Sequence, residues 1–179
     1  GVTVCVMDTG VNANHPDFES SHLNGWNSTT DFVIPWNQDL DGHGTHITGI
    51  LAASDNDRGY VGVAPEVAVY FIRVFTQEGK FFSSDVVAAA EACRDNGADF
   101  ISMSLGGYGF DQGEHEIFRD LHLKHGIISL ASAGNTGGPG LIYPAGYEYV
   151  VSVTACNERK RIPTFATYNS FVDVAAPGK

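Results

Sequence analysis

Basic residues are scarce in this sequence: ten Lys and Arg stand against 21 Asp and Glu among 179 residues, a formal net charge of -11. A surface of that sign repels phosphate, which excludes nucleic acid and anionic membranes as partners. Charge of either sign is sparse at 17%, while 43% of residues are hydrophobic, a balance that suits a compact α/β protein with much buried strand. No apolar run reaches the length of a membrane-spanning helix, so no membrane span is expected. The three cysteines, Cys5, Cys93 and Cys156, are too few for a disulfide framework and too widely spaced for a metal knuckle. Each lies in an apolar stretch, which favours buried free thiols and leaves a Cys93–Cys156 pair open. No Gly-x-Gly-x-x-Gly follows a strand, which sets a dinucleotide-binding reading aside. Repeats, low-complexity tracts and a secretion signal are likewise missing. The first residues already read as a core strand, so the chain is expected to be trimmed at its N-terminus. Its length fits one domain.

What is present is organised around Asp41-Gly42-His43-Gly44-Thr45-His46 and the apolar run Ile47–Ala53. The Asp-Gly pair is a turn signal, and the run after it reads as a short buried helix. Two glycines inside that helix imply close approach of another backbone. A histidine at such a helix start suits a general base, because its ordinary pKa lies near neutrality. Alone, His43 also fits a structural turn. With His46 three residues on, it could be half of a metal site whose further ligands are not evident.

The remainder reads as alternating strands and helices. Val2–Met7, Val67–Val74, Ala98–Leu105, Ile127–Ser132, Val150–Ala155 and Phe171–Ala175 are β-branched or apolar runs suited to buried parallel strands. Ser83–Asn96 reads as a helix capped by Ser83-Ser84-Asp85 and stopped by Gly97. Glu114–His125 reads as an amphipathic helix with Ile117, Phe118 and Leu121 inward and His115, His122 and His125 on its polar side. Residues 20–42 look polar and irregular, and the lone sequon at Asn27 is expected to stay unmodified. Ser54–Tyr60 is an oxygen-rich turn that fits either a plain surface loop or a hard cation. The alternation predicts a doubly wound, mostly parallel sheet with helices on both faces. Asp8 then ends the first strand, where open α/β sheets place their ligands, and alone it fits a plain turn former ahead of Gly10 equally well.

Val4-Cys-Val-Met-Asp8-Thr-Gly10, Asp41-Gly-His43-Gly-Thr-His46 and Ser132-Ala-Gly-Asn135 resemble, in order and spacing, the motifs of subtilisin-like serine proteases. Val61–Pro65, Ser102–Gly107, Tyr143-Pro144-Ala145 and Val174–Gly178 look like further landmarks of that family, so the resemblance covers the whole chain. It implies a subtilisin-like α/β peptidase fold over residues 1–179 and an Asp-His-Ser triad, to which Asp8 and His43 belong. Asp8 would hold His43 in the right tautomer, His43 would move the proton, and Asn135 would donate to the oxyanion. Ser104, Leu105, Gly106 and Gly107 on one side, with Gly79, Lys80 and Phe81 on the other, would hold an extended peptide by strand addition. Ser132, Ala133 and Gly134 would line the pocket for the residue before the scissile bond.

The same resemblance implies a structural Ca2+ held by Asp17 and Asn56 side chains and the carbonyls of Ser54, Arg58 and Tyr60. A weaker cation site near Ala145, Tyr147 and Val150, and a cis Tyr143–Pro144 bond, are implied too. Family habit adds secretion and an N-terminal inhibitory propeptide. One element departs from the pattern. The nucleophile's Gly-Thr-Ser-x-Ala motif occurs nowhere in the chain. The expectation is therefore a partial peptidase domain, incomplete at both ends, inactive alone and short of apolar cover on its sheet. The alternative is a non-catalytic pseudoprotease that binds peptides on the same fold.

Overall fold

A computed structural model describes residues 1–18, 22–29 and 34–179. The chain forms two compact units, Gly1–Ile101 and Ser102–Lys179.

The first unit is built on three parallel strands: β1 (Thr3–Asp8), β2 (His22–Asn27) and β3 (Ala68–Arg73), in the order β2-β3-β1. In register, Thr3 faces Ala68 and Asp8 faces Arg73, while Asn27 faces Arg73 from the other side. Cys5, Val6, Met7 and Asp8 are fully buried, as expected of a strand covered on both faces. Strand β4 (Phe100–Met103) begins beside β1, where the Asp99 N–H donates to the Thr3 carbonyl at 2.9 Å, and carries the chain into the second unit. Val4, Val6, Val11, Phe18, Val69 and Phe71 belong to one core cluster of this unit.

Helix α1 (His43–Ala52) buries Gly44, Thr48 and Ala52, a four-residue repeat of small side chains that lets its backbone come close to β1. A Cβ on Gly44 would lie 2.2 Å from the Gly10 carbonyl and 2.9 Å from the Phe71 ring. Backbone cannot yield as a side chain does, so Gly44→Ala should destabilise by about 3 kcal/mol, the upper end for overpacking. A urea midpoint equal to that of the parent would overturn this. Helix α2 (Ser83–Asp95) faces inward with Val86, Ala89, Ala90 and Cys93 and stops at Asn96-Gly97. Its first turn is tied by the Phe82 N–H donating to Asp85 at 3.2 Å, so Phe82, not Ser83, is the N-cap.

Two sequence readings of this unit are corrected. His22–Asn27, inside the stretch read as irregular, is strand β2; positions 20, 21 and 30–33 of that stretch lie outside the described residues. Its Asn, Gly and His disfavour strand locally, and pairing to β3 overrides them. Cys5 and Cys93 are not free thiols but form a disulfide, and Cys156 remains free. Both half-cystines are fully buried, Cys5 on β1 and Cys93 on the inward face of α2.

The second unit continues from β4 through α3 (Gln112–His125), β5 (Ile128–Ser132), β6 (Val150–Cys156) and β7 (Val174–Pro177). Its three last strands are parallel in the order β5-β6-β7. The final strand starts three residues beyond the predicted Phe171, because Asp173 is held by Ser152 in a loop contact before the ladder begins. In α3, Asp111 is the N-cap and accepts from the Glu114 N–H at 3.0 Å, and Gly126 at φ 70° ends the helix. Phe118 and Leu121 are fully buried, whereas Ile117 is half-buried. Glu114, which a polar face would expose, is buried and accepts from the Tyr147 hydroxyl at 2.9 Å. His115, read as polar-face, is half-buried among Phe110, Tyr147 and Tyr149. The Tyr143–Pro144 bond is cis. The doubly wound parallel α/β class read from the sequence is the one observed.

Candidate active site

In the first unit, Asp8 closes β1 and His43 opens α1, so a rigid strand end and a rigid helix start bring the pair together. Asp8 Oδ1 lies 2.7 Å from His43 Nδ1 and accepts the Thr9 N–H at 2.7 Å. A carboxylate can only accept, so Nδ1 carries the proton and Nε2 is left free to act as a base. The Asp8 side chain is fully buried and that of His43 is 43% exposed, which places one member inside and the other at the surface.

Around the dyad runs a network absent from the sequence reading. Asp39 accepts from the Thr9 hydroxyl at 3.0 Å, the Thr45 N–H at 2.9 Å and the Thr45 hydroxyl at 2.6 Å. Thr9 in turn accepts the Gly44 N–H at 3.0 Å. Gly42 is the N-cap of α1 at φ 94° and has no side chain to cap with, so Asp39 supplies that function from three residues upstream. Burial pushes the Asp39 carboxyl up, but hydrogen bonds led by the Thr45 hydroxyl outweigh it, and the group stays ionised below the usual range.

The His43 pKa is raised above 6.5, chiefly because the hydrogen bond to Asp8 favours the imidazolium. Partial burial opposes this, and the charges of Asp8, Asp41 and Asp39 add to it. Proton acceptance by His43 should therefore rise with pH through a midpoint above 6.5, and Asp8→Asn should lower that midpoint. A histidine NMR titration reads both; an equal midpoint in the two proteins would overturn the assignment. Stability has the opposite sign. The ion pair's contribution is complete below pH 6.5 and is lost as pH rises through the folded-state value.

Other predicted positions of this unit fall in two loops. Gly79, at φ 72°, sits in a turn closed by the Thr76 N–H to the Lys80 carbonyl at 2.8 Å. Lys80 pairs with Glu78 at the surface, and Phe81 packs edge-on against Phe75. Asp17 meets the Ser54–Tyr60 loop: the Ser54 N–H donates to the Asp17 carbonyl at 2.7 Å. A Cβ on Gly59 would lie 2.4 Å from the Asp17 carboxylate and would push that group aside, and φ 53° at Gly59 favours glycine. Asn56 Nδ2 donates to the Pro16 carbonyl and its Oδ1 faces the Arg58 N–H. Tyr60 is exposed. His46 is exposed on α1, and among the described residues no three His, Cys, Asp or Glu gather as metal ligands.

In the second unit, Ser104, Leu105 and Gly106 line a cavity of about 310 Å³ with Ser132, Gly134 and Asn135. Ile142, which the sequence did not single out, closes it. Added Cβ atoms on Gly106 and Gly134 would sit 2.3 and 2.8 Å from that side chain. Gly107 belongs elsewhere, in a two-bond antiparallel bridge with Tyr143 that engages both its N–H and its carbonyl. Ala133 is buried, its N–H tied to Val153. Asn135 is exposed at the turn, held in place by Thr167: the Thr136 N–H donates to the Thr167 hydroxyl, and the Thr167 N–H to the Gly134 carbonyl. Thr167 is fully buried. A threonine donor and acceptor so far along the chain gives no sequence signal. Near the predicted weaker cation site, the Tyr147 carbonyl already accepts the Val150 N–H.

Residues 1–179 match the model of the subtilase family, peptidase S8. Thermitase of Thermoactinomyces vulgaris is 36% identical over 179 residues, spanning 99% of this chain and 63% of its own length. An intracellular serine protease of Paenibacillus polymyxa is 36% identical over 186 residues, covering 100% of this chain and 57% of that protein. Among solved structures, the psychrophilic subtilisin-like protease Apa1 from the Antarctic Pseudoalteromonas sp. AS-11 superposes with a TM-score of 0.89 at 34% identity, over 99% of this chain and 41% of that one. The chain spans less than two thirds of each of these relatives.

Proposed function

Because the chain belongs to the subtilase family, we propose that the protein containing it is a serine endopeptidase in which Asp8 and His43 are the acidic and basic members of the triad. The 2.7 Å contact between His43 Nδ1 and a fully buried Asp8 carries this reading. Asp8 fixes the tautomer and stabilises the imidazolium without taking the proton. His43 Nε2 takes the serine proton and returns it to the leaving amine. The exposed Asn135 amide donates to the oxyanion, an interaction worth about 10²–10³ in kcat in this family. In the second unit Ser104–Gly106 would pair with an extended peptide and Ser132–Gly134 would line the pocket for its side chain; in the first, Gly79–Phe81 would offer backbone for the same kind of pairing. No Gly-Thr-Ser occurs in the 179 residues, so the chain alone should not hydrolyse peptides.

Fluorophosphonate labelling of the natural full-length protein tests the proposal. Labelling that disappears in His43→Ala supports it. A folded full-length protein that never labels is instead a peptide-binding pseudoprotease.

The Cys5–Cys93 bond supports an oxidising compartment, and hence secretion, although two relatives are named as intracellular. An N-terminal inhibitory propeptide is part of the same reading. Calcium belongs to it as well. The donors at Asp17 and the Ser54–Tyr60 loop are all oxygen, and the space above Gly59 is filled by the Asp17 carboxylate rather than a Cβ. Asp17, Asn56 Oδ1 and the carbonyls of Ser54, Arg58 and Tyr60 would hold the ion, which would brace the loop. Ca2+ at about 100 times its Kd should add about 2.7 kcal/mol to stability, lost with a chelator and in Asp17→Asn. Melting that ignores both would overturn the site.

A further inference from the structure

Arg73 ends β3 and is 4% exposed, yet it has no part in the chemistry above. Its Nε donates to the Phe75 carbonyl at 3.0 Å, while Nη1 has no partner among the described residues. Among the described residues no carboxylate pairs with it. The side chains of its register neighbours make no bond to it: Asp8 holds His43 and the Thr9 N–H through Oδ1 while its Oδ2 has no partner among the described residues, and Asn27 is a neutral amide whose Nδ2 is bonded to the Ile34 carbonyl. A guanidinium is permanently charged, and a buried charge without a counter-ion is strongly unfavourable. Such a group is waiting for an anion.

The space for one is present. Arg73 lines a cavity of about 200 Å³ whose walls include Leu40, Phe75 and Gly79, and Thr9 and Asp41 link it to the dyad. Thr9 bonds Asp8 Oδ1, and Asp41 Oδ1 accepts the His43 N–H at 3.2 Å. Anything seated there touches the catalytic neighbourhood. Resting on the protease reading, we propose that Arg73 is a specificity-determining residue, and that this cavity takes a glutamate or aspartate side chain at one fixed position of the substrate. The carboxylate would meet the guanidinium fork in a water-poor site, where charge-assisted bonds are strongest. Glutamate, the longer chain, should be preferred because Arg73 lies deep. Exposed Asp41 at the mouth and the net charge of -11 oppose an approaching anion. Salt screens those exposed charges over about 10 Å, whereas a pair formed at buried Arg73 escapes most of that screening.

The test profiles cleavage of a peptide library by the full-length protein, then compares kcat/KM for matched Glu and Gln peptides. The wild type should favour Glu at least tenfold at one position. Arg73→Met should bring the Glu-to-Gln ratio to about one, Arg73→Lys should keep part of it, and Arg73→Glu should shift the preference to Lys or Arg. Equal cleavage of Glu and Gln peptides by the wild type overturns the proposal, as does an unchanged ratio in a folded Arg73→Met. If the folded wild type cleaves nothing, the protease reading fails, and anisotropy with the same labelled peptides decides for Arg73. Tighter Glu binding that is lost in Arg73→Met upholds the pocket, and equal binding rejects it.

Discussion

Replacing His43 by alanine in the full-length protein should lower kcat for a peptide anilide by about 10⁶-fold, the scale on which removing a triad base acts. The geometry says why so much rests on one ring. With Nδ1 held 2.7 Å from Asp8, Nε2 is the free basic atom of the ring, and no other histidine contacts that carboxylate. Asp8→Asn should cost about 10⁴-fold, because an amide can present its NH2 to Nδ1 and impose the wrong tautomer. The double variant should lose little more than His43→Ala, since the two residues form one unit. Losses that multiply would mean they act separately, and a His43→Ala enzyme within tenfold of wild type would end the triad reading. KM should move far less than kcat.

Removing the Cys5–Cys93 bond should be the largest single loss of stability. It closes a loop of 88 residues, and cross-linking a loop of that length lowers the entropy of the unfolded chain by about 4–5 kcal/mol. For a protein of this size that corresponds to a Tm drop of roughly 10–15 °C. Calorimetry of the Cys5→Ala/Cys93→Ala pair against wild type measures it. Because both sulfurs are fully buried, mild reductant should act only as the protein unfolds. A Tm within 3 °C of wild type would show that the unfolded state is already confined.

How much of this was readable beforehand differs from element to element. Strand β1, helix α1 and the Asp8–His43 pair were legible because the signals are local: a β-branched run, an Asp-Gly turn, and a motif order that resembles one family. Strand β2 was not, because His, Asn and Gly carry no strand signal and the pairing with β3 lies outside any window. The disulfide was missed for the same reason: its partners are far apart in sequence, and each reads as a small core residue. Asp39 was overlooked since its value comes from three hydrogen bonds to Thr9 and Thr45, which only the folded turn assembles. Gly107 was misplaced by proximity. It follows Gly106 in the chain but is committed to Tyr143. Burial of Glu114 needed the Tyr147 hydroxyl to make it tolerable, another partner invisible along the helix.

Asn27 has a consequence for how the protein is made. Its side chain is 8% exposed, and Nδ2 is bonded to the Ile34 carbonyl at 3.0 Å, so a transferase cannot reach it once β2 has paired. In a eukaryotic secretory host the sequon at Asn27 could be glycosylated only while the chain is still unfolded. A sugar attached then would occupy the position of the Ile34 carbonyl and hold the edge strand off β3. Sugar-bearing chains should therefore be retained as misfolded material while unmodified chains are released, and Asn27→Gln, in a host that glycosylates, should change yield through chain fate rather than through the folded state.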